Sequence, residues 1–388
     1  MKTFLKTISF YVLKILLAPL RILPVKKNRI LFTGLTGGKT NEYSCNLKYL
    51  CEYIMEKMPG TYDICWAVSN PEQYGFLKEL GFKVVKHFNI HSFPVLMTSK
   101  VIVSNGAYAP WFPFRKSQYF INTWHGGGAY KKIENNKPDA NWATRKRAQN
   151  CAENISLFVS TCRAATDNII HDAFLYRGEV MEVGMPRNDK IIRKETKEQT
   201  EKVKKIFGIK PEDKIVLFAP TYRPQAADIT LNADKVLENL GKDGSCWYFM
   251  RRAHRYQDGY QINIIGKHIL EAGNYPDMQE LLCAADVLIT DYSSCIWEYS
   301  FLGRPCFLYT PDLEEYTRNT GFYTDIHDWP FPICITEDDL CREIEEYDEK
   351  ENLRRIQAHH EALGNCETGR ACEYIAERIQ KVTGVNNE

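Results

Sequence analysis

Ala285-Asp-Val-Leu-Ile-Thr-Asp-Tyr-Ser-Ser294 runs from an apolar strand into a short hydroxyl-rich turn, and Cys295–Leu302 continues it with a helical pattern. A strand that feeds a helix in this way belongs to a parallel sheet with crossover helices. The same alternation extends in both directions. Upstream, strands are predicted at Arg29–Leu35, Tyr62–Val68, Lys83–Val85, Lys100–Ser104, Tyr119–Trp124, Leu157–Ser160 and Val180–Val183. A second series is predicted at Lys214–Ala219, Cys246–Met250, Val287–Thr290 and Pro305–Tyr309. Helical patterns fall between them, among them Leu47–Met58, Pro71–Leu80 and Met278–Ala285. The charged stretch Ile192–Lys214 separates the two series and contains a helix. The expectation is an α/β protein with two domains facing a cleft, where such folds bind ligands. The boundaries are 29–195 and 196–388, with the terminal helix packing back on the first domain. A length of 388 residues suits two or three domains.

The charges sum to +1, but they are not evenly spread. Eight cations and no acid lie between Met1 and Asn41, leaving 42 cations against 49 acids in the remainder, a body at −7. Residues 1–28 are basic and apolar. Lys6, Lys14 and Arg21 interrupt any spanning helix, and Pro19 and Pro24 break a long rigid one. This segment is expected to lie on an anionic membrane surface, where each Lys or Arg contributes ~1 kcal/mol. The alternative is a helix packed on the protein's own body. Thirteen cysteines form no CxxC pair and no zinc spacing, and read as buried thiols of a reducing compartment. Glu337–Glu351, with nine acids and two bases, reads as a solvated helix face.

Four motifs carry chemistry. Gly34-Leu-Thr-Gly-Gly-Lys-Thr40 resembles a phosphate loop but fails its pattern, because Thr33 stands where a glycine is needed. Thr123-Trp-His125-Gly-Gly-Gly-Ala-Tyr-Lys-Lys132 ends a strand. There a histidine at a strand end can act as a general base, and the glycines can leave N–H groups free for an oxyanion. Esterases use a similar string, but no G-x-S-x-G elbow occurs here. Arg251-Arg-Ala-His254-Arg255 places four cations at a strand end, where phosphate is the natural guest. Ser293 and Ser294 stand at a helix N-terminus, which suits an anion or equally serves as a cap. Glu298 lies one turn further on, within reach of a ligand hydroxyl. The constellation fits a nucleoside diphosphate donor; nothing in it reads nucleic-acid bases, and the body is acidic.

These motifs resemble the CDP-glycerol glycerophosphotransferases of teichoic-acid and capsule assembly. The matching strings are Asn46-Leu-Lys-Tyr-Leu, Thr123-Trp-His-Gly, Gly184-Met-Pro-Arg-Asn-Asp189, Phe218-Ala-Pro-Thr-Tyr-Arg223, Arg252-Ala-His254, Leu288-Ile-Thr-Asp-Tyr-Ser-Ser294, Asp312-Leu-Glu-Glu-Tyr316 and Gly321-Phe-Tyr323. The resemblance implies a GT-B architecture, two Rossmann-like domains with a central cleft, working at the cytoplasmic membrane face without an essential metal or cofactor. It implies transfer of glycerol phosphate from CDP-glycerol to a lipid-linked saccharide or polyol-phosphate acceptor, releasing CMP. Donor-binding positions would be His125, Gly126, Gly127, Gly128, Ala129, Arg187, Pro220, Thr221, Arg252, Ala253, His254, Ser293, Ser294 and Glu298. His125 would be the base, and His254 with Arg252 would clamp the diphosphate. The family often has His-Gly-Thr-Pro where this chain has His125-Gly-Gly-Gly, and a proline where Arg255 stands. These departures leave a CDP-ribitol donor or a nucleotide sugar as alternatives, along with a non-catalytic binding protein of the same fold. The length is expected to suit a priming or short-transfer enzyme, or a capsule enzyme, better than a large polymerase with an added module.

Overall fold

The computed structural model describes residues 11–34, 43–87, 89–106, 112–221, 229–252 and 263–385. They form two units. The first gathers the described residues of Met1–His125, Ile133–Asp189 and Cys366–Glu388; the second gathers those of Gly126–Lys132 and Lys190–Asn365.

The first unit is built on seven strands: β1 Lys26–Thr33, β2 Asp63–Val68, β3 Lys83–Lys86, β4 Ser99–Ser104, β5 Tyr119–Asn122, β6 Leu157–Ser160 and β7 Glu179–Glu182. They lie in the order β3-β2-β1-β4-β5-β6-β7, all parallel. Successive side chains point to opposite faces of a strand. Thus Ile30, Phe32, Val101 and Val103 join one core layer, while Leu31 and Ile102 join the other. Helix Cys45–Lys57 and the terminal helix Ala371–Thr383 cover the first face. Helix Ser92–Thr98 covers the second. A parallel sheet buried on both faces explains why its strands read as unbroken apolar runs.

The second unit repeats the plan with β8 Lys214–Phe218, β9 Trp247–Arg251, β10 Asn263–Gly266, β11 Ile269–Glu271, β12 Val287–Thr290, β13 Cys306–Tyr309 and β14 Ile333–Cys334. The order is β10-β11-β9-β8-β12-β13-β14, with only the β10–β11 pair antiparallel. Each sheet therefore has one point where strand order reverses: β1/β4 in the first and β8/β12 in the second. Ligands of doubly wound folds bind at the strand C-termini beside such a point.

Several expectations change. Strands β10, β11 and β14 are additions to the predicted series. The strand expected to reach Trp124 stops at Asn122, because the Asn122 side chain accepts the Trp124 N–H at 2.8 Å and turns the chain. The Glu337–Glu351 stretch is two helices, Glu337–Glu345 and Glu349–Leu363, the second capped by Asp348. The segment Gly126–Lys132 pairs with Gly321–Tyr323 rather than with first-unit strands. Lys132 N donates to Gly321 O at 3.0 Å, and Tyr323 N donates to Tyr130 O at 2.8 Å.

The described part of the N-terminal segment packs in part on the protein's own body. It is helical through Ala18–Ile22, where Pro19 tightens the turn, and it stops before Pro24. Leu17 and Leu20 pack on the first unit's core, and the Arg115 guanidinium holds the carbonyls of Arg21 and Leu23. Ile15, Leu16 and Ile22 instead face outward, Ile22 at 88% exposure. No described helix is long and apolar enough to cross a membrane. Residues 1–10 and the loop 35–42, with most of the phosphate-loop look-alike, lie outside the described residues. All thirteen cysteines are free thiols, nine of them buried. Burial pushes Cys65, Cys151 and Cys162 up to about 12.

Candidate active site

In the first unit the site is a strained turn at the end of β5. Trp124 has φ of +50°, a conformation that costs a non-glycine residue on the order of 1–3 kcal/mol. Its carbonyl accepts from Asn46 Nδ2 at 2.9 Å, and its ring packs beside His125 and Phe174. His125 Nδ1 lies 2.7 Å from the carbonyl oxygen of Asn105. A carbonyl can only accept, so Nδ1 carries the hydrogen, and Nε2 is the basic nitrogen of the neutral ring.

Arg187, expected to hold the donor, turns its guanidinium toward this turn. Nη2 donates to His125 O at 2.8 Å, and Nη1 to Cys45 Sγ at 2.9 Å. It is carried on a turn that Glu367 fixes, accepting from Met185 N at 3.0 Å and Asn188 Nδ2 at 2.7 Å. Asp189 in turn caps the terminal helix through Ala371 N and Cys372 N.

In the second unit the predicted groups lie at three adjacent strand ends: Arg252 after β9, Pro220 and Thr221 after β8, Ser293 and Ser294 after β12. Sheet order thus brings together segments some 70 residues apart, as the Thr221–Asp291 bond shows. Asp291 is fully buried, and its carboxylate accepts from Thr221 N at 2.8 and 3.0 Å and from Tyr292 N at 2.6 Å. Arg252 N donates to Phe218 O, tying β9 to β8. Of the expected cation cluster, Arg251 lies 4.0 Å from Glu271, which answers part of its charge. Ala253, His254 and Arg255 lie outside the described residues.

The glycine loop also has a packing role. A Cβ on Gly127 would lie 2.2 Å from Trp297 Cδ1 and 2.8 Å from Glu298 Oε1; one on Gly128, whose φ is +63°, would lie 2.4 Å from the Tyr130 ring. These two glycines are required by the protein's own packing as well as by any ligand. Glu298, expected to meet a ligand hydroxyl, is 1% exposed and faces Gly127. Ala129 is buried, and Ser293 and Ser294 are half-buried.

Sequence reasoning missed the support behind the loop. Tyr130 stacks on His359, 5.6 Å between centroids, and its hydroxyl meets His359 Nε2 at 3.0 Å. His360 Nε2 lies 2.6 Å from Ser300 Oγ. Burial lowers both histidines to about 4, so both are neutral near pH 7. Tyr292 stacks on Tyr316 at 3.8 Å and donates to Asp312 at 2.9 Å. No cluster suited to a metal ion occurs among the described residues.

Comparison with known proteins bears on this geometry. Residues 16–381 match the family described as CDP-glycerol:poly(glycerophosphate) glycerophosphotransferase. The chain is 26% identical over 372 residues to a teichoic acid poly(glycerol phosphate) polymerase of Bacillus spizizenii, covering 92% of this chain and 93% of that protein. A polymerase of the same name from Staphylococcus epidermidis is 27% identical over 379 residues, and there the match spans only 51% of the relative. The structure of the wall teichoic acid polymerase TagF soaked with CDPG superposes with a TM-score of 0.80 at 25% identity, covering 99% of this chain and 98% of that one.

Proposed function

Because the chain belongs to the CDP-glycerol:poly(glycerophosphate) glycerophosphotransferase family, we propose that it transfers glycerol phosphate from CDP-glycerol to a hydroxyl of a lipid-linked acceptor, in teichoic-acid or capsular polymer synthesis. The acceptor oxygen forms a bond to the glycerol-bearing phosphorus. The bond from that phosphorus to the bridging oxygen breaks, and CMP leaves with the electron pair. The acceptor's proton goes to His125 Nε2.

The observation that supports this reading is the His125 ring, whose Nδ1–H faces the Asn105 carbonyl and so leaves the lone pair on Nε2. General-base help of this kind is worth ~10²–10⁴-fold. In this reading the donor meets the glycine segment Gly126–Ala129 and the strand ends of the second unit. Pro220, Thr221, Ser293 and Ser294 offer backbone and hydroxyl groups there, and Arg252 offers charge. Ala253 and His254 complete the same segment. This is a GT-B enzyme's division of labour. The proposed setting is the cytoplasmic face of a membrane, with peripheral attachment through residues 1–28. Outward-facing Ile15, Leu16 and Ile22 support this, as do Lys14 and Arg21 on the same segment. Truncation of residues 1–25 should release the protein from the membrane fraction; full retention would end that part of the reading.

The test is a donor screen with CDP-glycerol, CDP-ribitol and nucleotide sugars, with membranes supplying acceptor and mass spectrometry of the lipid products. CMP release from CDP-glycerol together with a glycerol-phosphate mass increment supports the proposal. Turnover of CDP-ribitol or a sugar nucleotide alone would replace the donor, and binding without any product would refute the enzyme.

A further inference from the structure

We infer that Asn46 is a positioning residue for the base: it holds the Trp124–His125 peptide in its strained conformation and so aims the imidazole. The inference rests on the role proposed above for His125.

Asn46 is the second residue of the helix Cys45–Lys57 and is wholly buried, which is costly for an amide unless its groups are bonded. Its bonds run to the turn, not to its own helix. Nδ2 donates to Trp124 O at 2.9 Å and lies 3.4 Å from both Thr123 O and Thr123 Oγ1. Oδ1 accepts from Arg187 N at 3.4 Å. One side chain therefore joins the strand end that carries His125 to the turn that carries Arg187, whose guanidinium grips His125 O.

Backbone strain gives the second observation. Among the described residues five non-glycine positions have positive φ, and two of them, Cys45 at +57° and Trp124 at +50°, flank this contact. Strain persists where surrounding bonds over-determine it. Trp124 is fixed at its N–H by Asn122 and at its carbonyl by Asn46 at 2.9 Å, with the Thr123 hydroxyl a second, longer donor at 3.1 Å. Without the amide donor the peptide can relax toward negative φ. His125 Cα then moves, and the Nδ1–H bond to Asn105 O, 2.7 Å long, is lost. A displacement of about 1 Å at a reacting group costs ~10²-fold in rate.

Two variants test this. Asn46→Ala removes both bonds; Asn46→Asp keeps the size and the acceptor for Arg187 N but removes the donor to Trp124 O. In full-length protein carrying ¹⁵N-histidine, with the His125 signals identified by their loss in His125→Gln, the wild type should show the Nδ1–H tautomer at pH 8. Both variants should lose that signature, shift toward Nε2–H, and lose about 10–100-fold in kcat, while CDP-glycerol affinity by calorimetry stays within about 3-fold. A retained Nδ1–H signature in the folded Asp variant, an unchanged kcat, or a loss that appears equally in donor affinity would overturn the inference. If the wild type turns over no donor, the transferase reading fails. The tautomer comparison still decides whether Asn46 sets the ring.

Discussion

The C-terminal ends of β5 in one sheet and of β8 and β12 in the other are secured in opposite ways. At β5, neutral amides, a guanidinium and a backbone carbonyl converge on a two-residue turn, and backbone strain is part of the arrangement. At β8 and β12, one buried carboxylate gathers the backbone N–H groups of Thr221 and Tyr292. The chain passes from one regime to the other at the His125–Gly126 bond. The first arrangement suits aiming a single proton acceptor. The second suits receiving an anion. Aiming needs geometry fixed in advance, whereas anion binding needs donors that are held in place but not used up.

The contrast can be broken most forcefully with acid. His359 and His360 are buried and neutral, both lowered to about 4, against an ordinary value of 6.5. The unfolded chain therefore takes up protons between pH 6.5 and 4 that the folded chain refuses. Stability contributed above pH 6.5 is lost as pH falls through that window, by about 2 kcal/mol per histidine at pH 5. Both belong to the second unit, so hydrogen exchange at pH 5 should show residues 190–365 opening before the first sheet. Uniform loosening would contradict the assignment.

Asp291→Ala should cost about 3 kcal/mol, because it leaves the buried N–H groups of Thr221 and Tyr292 without their acceptor. Donor affinity should fall with stability, measured by calorimetry and denaturant midpoint together. Arg187→Lys probes the other regime. A lysine cannot span Cys45 and His125 at once, so kcat should fall about 10–100-fold with donor affinity little changed. A selective loss of donor affinity would instead support the donor-binding role expected for Arg187. Gly127→Ala is expected to have the smallest effect, about 1–2 kcal/mol, from crowding Trp297. Its melting temperature should recover in part when Trp297 is replaced by Leu.

Which parts could be read from sequence follows the same division. Leu157–Ser160 and Val287–Thr290 were legible as strands because apolar runs buried on both faces leave a local signature. Ile269–Glu271 and Ile333–Cys334 are too short to leave one. His125 drew notice in the sequence because it follows an apolar strand and precedes three glycines. Asn46, 78 residues from the carbonyl it holds, and His359, 229 residues from Tyr130, did not. Their roles come from partners that only the sheet order brings close. The packing role of Gly127 and Gly128 was not legible, because nothing local in the sequence announces that Trp297 and Tyr130 stand beside them.

The central claim is that His125 takes the acceptor's proton. Its most direct measurement is the rate of CMP release from CDP-glycerol by His125→Ala, with the donor's dissociation constant measured on the same preparation. The account predicts a loss of at least ~100-fold in kcat with donor binding retained. Near-normal turnover would contradict it.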